Sequence, residues 1–391
     1  MMTDNSQPPS RAQIIHEIIW SEAFPWWILF KAAGVAFSPA VILLATLATA
    51  GTWAGFSAID SFGLPSEGIT QASSTIEGCA GGESTEILLP TPSRVVLPTI
   101  SSQIAQLPVP VREFLALIAT PWNPLATWSE FLGGLLRCIW FLLVWSIFAT
   151  SITRYVALRL VDEELPGFRE VLRFGVVKWP AAFNSAAFVF LGIVALAVPG
   201  GLLGLVMRFD WGLAIIGVIW PLILAGAVIL AILGIGLAAG WPLMVAAVSV
   251  ERGDSFQAIS TAFSYLYQRP LHFAFYGLVA CILAVLGFFA AGLFADTTVL
   301  FALWAGSFGM GHERTTEVIL AITRGSADPR WGIQILQFWT DGLRILLGSF
   351  GWGFFWCVVP AIYLLLRQSV DATELDEIVL DEPGTNQSIT Q

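Results

Sequence analysis

Residues 211–250 run for 40 positions without a single Asp, Glu, Lys or Arg. As one straight helix such a run is about 60 Å long, twice the roughly 30 Å hydrocarbon core of a bilayer. Four more stretches are equally free of these residues: 32–59, 179–207, 270–295 and 345–366. A soluble fold has no place for so many long apolar segments, whereas a membrane helix needs about 20 such residues. Over the 391 residues, 56% are apolar and only 12% are charged, against about 25% charged in soluble domains. The expected fold is therefore all-α: a polytopic transmembrane bundle of about six spans. Amphipathic surface helices are expected before spans 1, 3 and 5. An ordinary cytosolic enzyme and a disordered tail protein are excluded.

The organisation follows the charges. Residues 1–27 read as a cytoplasmic N-terminus. Within it Ile14, Ile15, Ile18 and Ile19 line one helix face, and Trp20 and Pro25-Trp26-Trp27 sit at headgroup depth. Span one, about 28–55, is expected to remain as an uncleaved anchor. Residues 57–127 are rich in Ser, Thr, Gly and Pro and read as an exoplasmic loop, with a short amphipathic helix near 111–120. Span two is expected at 131–153. Arg137 lies about a turn inside its outer edge, where snorkelling to the interface is the expected behaviour. Residues 154–180 carry Arg154, Arg159, Arg169, Arg173 and Lys178, so they read as a cytoplasmic loop. Its surface helix begins near Phe168 and ends at Pro180. Span three, about 181–206, is softened by Pro199-Gly200-Gly201.

The 211–250 run allows two readings. One is a single span, about 212–239, with an extension hinged at Gly240 and Pro242; the other is two tightly turned spans. The single span is preferred. Asp254 or Ser255 then caps a second surface helix that ends at Arg269-Pro270 and leads into span five, about 271–295. The two surface helices look alike, which suggests a duplicated unit. Residues 296–331 are expected to form a second outer segment, and span six to run over 343–366. Asp341 and Arg344 at its outer edge are an i, i+3 pair. The membrane domain thus covers 28–366, and 367–391 is an acidic cytoplasmic tail, with Asp371, Glu374, Asp376, Glu377, Asp381 and Glu382. The Lys and Arg distribution favours both termini inside.

Chemistry is scarce. Glu163-Glu164 with Arg169 is similar to the Glu-Glu-x-x-x-Arg of CAAX-type intramembrane proteases. The spacing is one residue too long, and the only histidines are His16, His272 and His312. Those three are too scattered for a metal site. Gly306-Ser307-Phe308-Gly309 has no histidine in a later span to activate its serine, and the nearby His312 reads as a loop residue. No phosphate-binding glycine loop is present. The four cysteines offer neither a disulfide framework nor zinc spacing. A net charge of −10 leaves no footprint for nucleic acid. No catalytic, metal or cofactor site is expected, and no cofactor. The candidate functional residues are Arg137, Asp341 and Arg344, with Gly240 and Pro242 as a candidate hinge. Gly200/Gly204 and Gly236/Gly240 are small enough for close helix packing, expected to be internal.

Three stretches carry a resemblance: Ile18-Ile19-Trp20-Ser21-Glu22-Ala23-Phe24-Pro25; Gly240-Trp241-Pro242-Leu243-Met244 through Gln268-Arg269-Pro270-Leu271; and Leu364-Leu365-Leu366-Arg367 with Asp371 to Glu377. On these the chain resembles uncharacterised multi-spanning membrane proteins of planctomycete-type bacteria. More distantly it is similar to the membrane domain of some glycerophosphodiester phosphodiesterases, without their catalytic domain. The resemblance implies a bacterial inner-membrane protein and supplies no activity. The expected role is a non-enzymatic scaffold or complex subunit whose partners are the bilayer and a protein bound through the tail 371–391. The alternative is a transporter or permease subunit that moves a small solute or lipid.

Overall fold

A computed structural model of the chain describes residues 24–64, 108–119, 127–161, 166–324 and 330–373. Among these residues the chain is helical, without strands. Six helices are long and apolar enough to cross a membrane, so the protein is a multi-pass membrane protein. The N-terminal interfacial helix before Phe24, most of the 57–127 loop with Cys79, the Glu163-Glu164 pair and the acidic tail beyond Thr373 lie outside the described residues.

After a short 3-10 turn at Pro25–Trp27 come α1 (Ile28–Val35) and α2 (Pro39–Ser61). The expected first span is thus broken at 36–38. Pro39 lacks the N–H a continuous helix needs there, but it suits the first turn of a new one. The short helix of the loop is α3 (Val109–Ala119), and α4 (Trp128–Leu160) follows. Its start is fixed by a capping box: the Thr127 hydroxyl accepts from the Glu130 N–H, and the Glu130 carboxylate accepts from the Thr127 N–H at 2.7 Å.

α5 (Phe168–Val206) is continuous, with Pro180 and Pro199 inside it. The expected surface helix and span three are therefore one element, a correction to the stop at Pro180. Small buried residues explain the continuity. Gly175 lies against Ser151 and the Ile147 carbonyl of α4, and Ala182 and Ala186 continue that face beyond the proline. Packing on both sides holds the two halves in line.

α6 (Asp210–Glu251) is also one helix, through Pro221 and Pro242. The 211–250 run crosses once, and its hinge candidates are internal: Gly240 and Pro242 are both buried. α7 (Ser255–Gln268) is capped by Asp254, whose carboxylate accepts from the Gln257 N–H at 2.8 Å. Here the proline does start a new element, because Arg269 leaves helical geometry (φ −130°, ψ 54°) and Pro270 opens α8 (Pro270–Met310). The two surface segments thus differ, which weakens the duplication.

α8 continues 15 residues past the expected end at 295. Residues 297–310 hold no charge and no proline, so nothing stops the helix until Gly311, at φ 76°. α9 (His312–Arg324) and α10 (Trp331–Asp371) complete the chain. The second outer segment is thereby divided between α8, α9 and the start of α10.

The core lies where α1, α2, α4, the second half of α6 and the second half of α10 meet. A buried polar seam ties α4 to α6. The Thr153 and Ser249 hydroxyls lie 2.5 Å apart, and the Arg154 guanidinium donates to the Ser249 carbonyl at 3.0 Å. At the same end, the Glu251 carboxylate accepts from the Tyr363 hydroxyl and from Gln257, and the Tyr265 hydroxyl donates to Asp371. These bonds clasp α7 to the last turns of α10.

Candidate functional site: an aromatic centre beside an apolar groove

The centre of the bundle is built from aromatic rings. Trp145 of α4 lies 5.0 Å from Trp352 and 5.9 Å from Trp356 of α10. Trp241 of α6 meets Trp356 edge-on at 5.4 Å. Phe141 fills the space between α4, α6 and Trp352. Spacing places these rings together: Trp145 follows Phe141 by four residues, and Trp356 follows Trp352 by four. Trp241 donates its indole N–H to the Ala182 carbonyl at 3.2 Å. Among the described residues, the indole nitrogens of Trp145 and Trp356, at 1% and 0% exposure, have no hydrogen-bond partner.

α3 inserts into this centre. Phe114 is buried and stacks on Trp241 with centroids 5.6 Å apart, and it touches Phe141 and Phe355. A helix from the loop between two spans therefore reaches the bundle core. The loop contributed only an amphipathic pattern to the reading of the sequence. The signal for its depth was Phe114 and Leu117, one turn apart on the apolar face. The Glu113 carboxylate, next to Phe114 in sequence, accepts from the Trp352 indole. Its carboxyl remains partly open, yet burial raises its pKa from the ordinary value, against the lowering effects of Trp352 and Arg112.

Beside the aromatic centre lies a groove of about 830 Å³. α6 and α8 stand apart, and the groove occupies the gap. α10 and α3 also contribute to its wall, with Phe114, Pro242, Gly277, Ala284, Phe288 and Phe354 among the lining residues. None of the described residues that line it is charged. Pro242, a hinge candidate, is thus a wall of the groove, while Gly240 lies behind it with a Cβ position 3.5 Å from Met244.

Arg137 is not at an interface by snorkelling. It is 2% exposed, pairs with Asp60 at the end of α2 and donates to the Leu64 carbonyl at 3.0 Å. The correction has a visible source: Asp60 is the first charge after the 32–59 run. Asp341 and Arg344 do pair, at 2.8 Å, with both side chains more than half exposed. Arg344 also donates to the Ile322 carbonyl at 3.1 Å. The structure therefore separates the three charged candidates: Arg137 joins α2 to α4, whereas Asp341 and Arg344 stand in the first half of α10. Of the glycine pairs, Gly236 packs against Phe263 of α7, whereas a Cβ at Gly200 or Gly204 would meet nothing within 4 Å.

No family model, curated protein or solved structure matches the chain.

Proposed function

We propose that this is a non-enzymatic, lipid-handling protein of a bacterial inner membrane, in which the hydrocarbon part of a membrane lipid enters the groove between α6 and α8 sideways. One observation carries the reading: an apolar cavity of about 830 Å³ lies between two helices long and apolar enough to cross a membrane, and none of its described lining residues is charged. Such a cavity suits a hydrocarbon chain and offers nothing to a polar solute. The transporter or permease-subunit alternative, narrowed to lipid, therefore stands ahead of a scaffold. α3 serves as the movable wall, because it belongs to a loop rather than to a span. Six crossings return the chain to the side on which it starts. The Lys and Arg of 154–178 support placing both ends in the cytoplasm.

The test is a phospholipid with a photoreactive diazirine on its acyl chain, supplied in proteoliposomes. Adducts are expected on groove residues such as Cys281, Ala284 and Phe288. Adducts spread evenly over the outward faces of α5 and α6 would refute the reading. Reporter fusions at residue 24 and after residue 373 test the orientation.

A second reading, a subunit of a larger membrane complex, is favoured by the open glycine face at Gly200 and Gly204 of α5, since small residues let another helix approach closely. The tail 371–391 would serve the same role toward a soluble partner. Deleting 374–391 and finding the same co-purified proteins would remove the tail from that role.

A further inference from the structure

A second cavity follows the groove along the same pair of helices. Along α8 the groove lining runs through Gly277, Cys281, Ala284 and Phe288, at helical spacing. The same face continues through Ala295, Val299 and Leu303, which line the second cavity, of about 490 Å³. α10 repeats the pattern: Phe354 and Gly351 line the groove, and Leu347, Arg344 and Thr340 line the second cavity. Seven residues of α8, about 10 Å, separate Phe288 from Ala295. The two cavities are therefore consecutive along one α8–α10 seam.

Their chemistry differs. The second cavity is lined by Asp296, Arg344 and the hydroxyl-bearing Ser307, Thr315 and Thr340. Arg344 is already neutralised by Asp341. Each of the three hydroxyls donates to a carbonyl of its own helix or cap, which leaves its oxygen able to accept. Asp296 makes no hydrogen bond or ion pair among the described residues. Asp296 is exposed, so its carboxylate is open to a cationic group of a ligand. The second cavity thus carries one uncompensated negative charge, together with a guanidinium that keeps unused N–H donors beside it.

We infer that the two cavities form one binding site for an aminophospholipid: its acyl chains lie in the groove, its ammonium group meets Asp296 and its phosphate meets Arg344. This rests on the lipid-groove reading and adds the class of head group. A zwitterionic head supplies an ammonium for Asp296 and a phosphate that accepts from the N–H donors Arg344 leaves unused. An anionic glycerol head group brings its negative charge to an uncompensated carboxylate and is disfavoured. No bond is made or broken.

The experiment is native mass spectrometry of the full chain released from nanodiscs of equal phosphatidylethanolamine and phosphatidylglycerol. The wild type is expected to retain the ethanolamine lipid roughly three- to fivefold over the glycerol lipid, the scale of one partly exposed ion pair. Asp296→Asn should keep the lipid and lose the preference. Asp296 is exposed and unpaired, so this variant folds as the wild type does. Gly277→Trp should lose both lipids; a Cβ there meets nothing within 4 Å, so the ring enters the groove rather than the core. Lipid retained without preference in the wild type, or a preference unchanged in Asp296→Asn, overturns the head-group assignment and leaves the groove reading intact. No retained lipid, or two chains without lipid, overturns the groove reading and this inference with it.

Discussion

Replacing Asp60 is the sharpest test of how the C-terminal end of α2 is held. The Arg137 guanidinium is almost fully buried, while the Asp60 side chain keeps 51% of its surface exposed. Asp60→Ala removes one counter-charge of the buried guanidinium, which still donates to the Leu64 carbonyl at 3.0 Å. Breaking a fully buried pair costs about 3–5 kcal/mol. Water already reaches half of Asp60, so the cost here is smaller, about 1–3 kcal/mol. Arg137→Met removes the buried charge and leaves a hydrated carboxylate, at about 0–1 kcal/mol. The double variant Asp60→Ala/Arg137→Met should match Arg137→Met alone, since the carboxylate has no buried charge left to serve. The measurement is a double-mutant cycle of unfolding in mixed micelles. If Arg137 instead snorkels to lipid head groups, Asp60→Ala stays within about 0.5 kcal/mol of the wild type and the cycle closes without coupling. That result would refute the buried pair.

Three further outcomes are expected. Gly175→Ala places a Cβ 2.4 Å from the Ile147 carbonyl, and backbone cannot yield cheaply, so it should destabilise by about 1–3 kcal/mol, while Gly200→Ala leaves the unfolding curve in place. Phe114→Ala removes the ring stacked on Trp241; because lipid can fill part of the space, the loss should fall at or below the low end of the ~3–5 kcal/mol typical of buried Phe, and a cysteine placed at Leu115 should become more reactive to a membrane-permeant maleimide. Glu113 binds its proton more tightly folded than unfolded, so its contribution is fully present below its ordinary value of 4.5 and is lost as pH rises through the raised folded value. The wild type should therefore lose stability relative to Glu113→Gln as pH climbs from that point, and a pH-independent difference would contradict the burial of this carboxyl.

The class of fold was legible because charge-free runs longer than 20 residues admit few other solutions. The single crossing of 211–250 was legible for the same reason, since two spans and a turn leave no spare residues. Helix ends were not. Pro180 and Pro270 look identical in the sequence, but one lies within a helix and the other begins one. The difference comes from α4, whose Ser151 and Ile147 meet Gly175 and keep α5 straight, and a contact 24 residues away in sequence leaves no local trace. The aromatic centre was only half legible. The i, i+4 pairs Phe141/Trp145 and Trp352/Trp356 mark two helix faces, but nothing local says that they meet each other or that Phe114 comes down onto Trp241. Asp296 escaped notice because it sits one residue beyond the 270–295 run and looks like the end of a span.

Helix length argues for the same placement of the groove. α6 has 42 residues, about 63 Å by helical rise, and no bilayer covers that length. Its two halves have different surroundings. Residues 236–250 are almost wholly buried by α4, α5, α7 and α10, while most large side chains between Trp211 and Ile235 are exposed. The exposed half is about 36 Å long, which with modest tilt fits a hydrocarbon core. The exposed half of α6 therefore needs lipid, and the buried half needs none. The groove begins where the two halves join, at Ile235, Ala238, Ala239 and Pro242. A cavity at that junction has packed protein on one side and an exposed apolar helix face on the other, which is the geometry the proposed lipid groove requires.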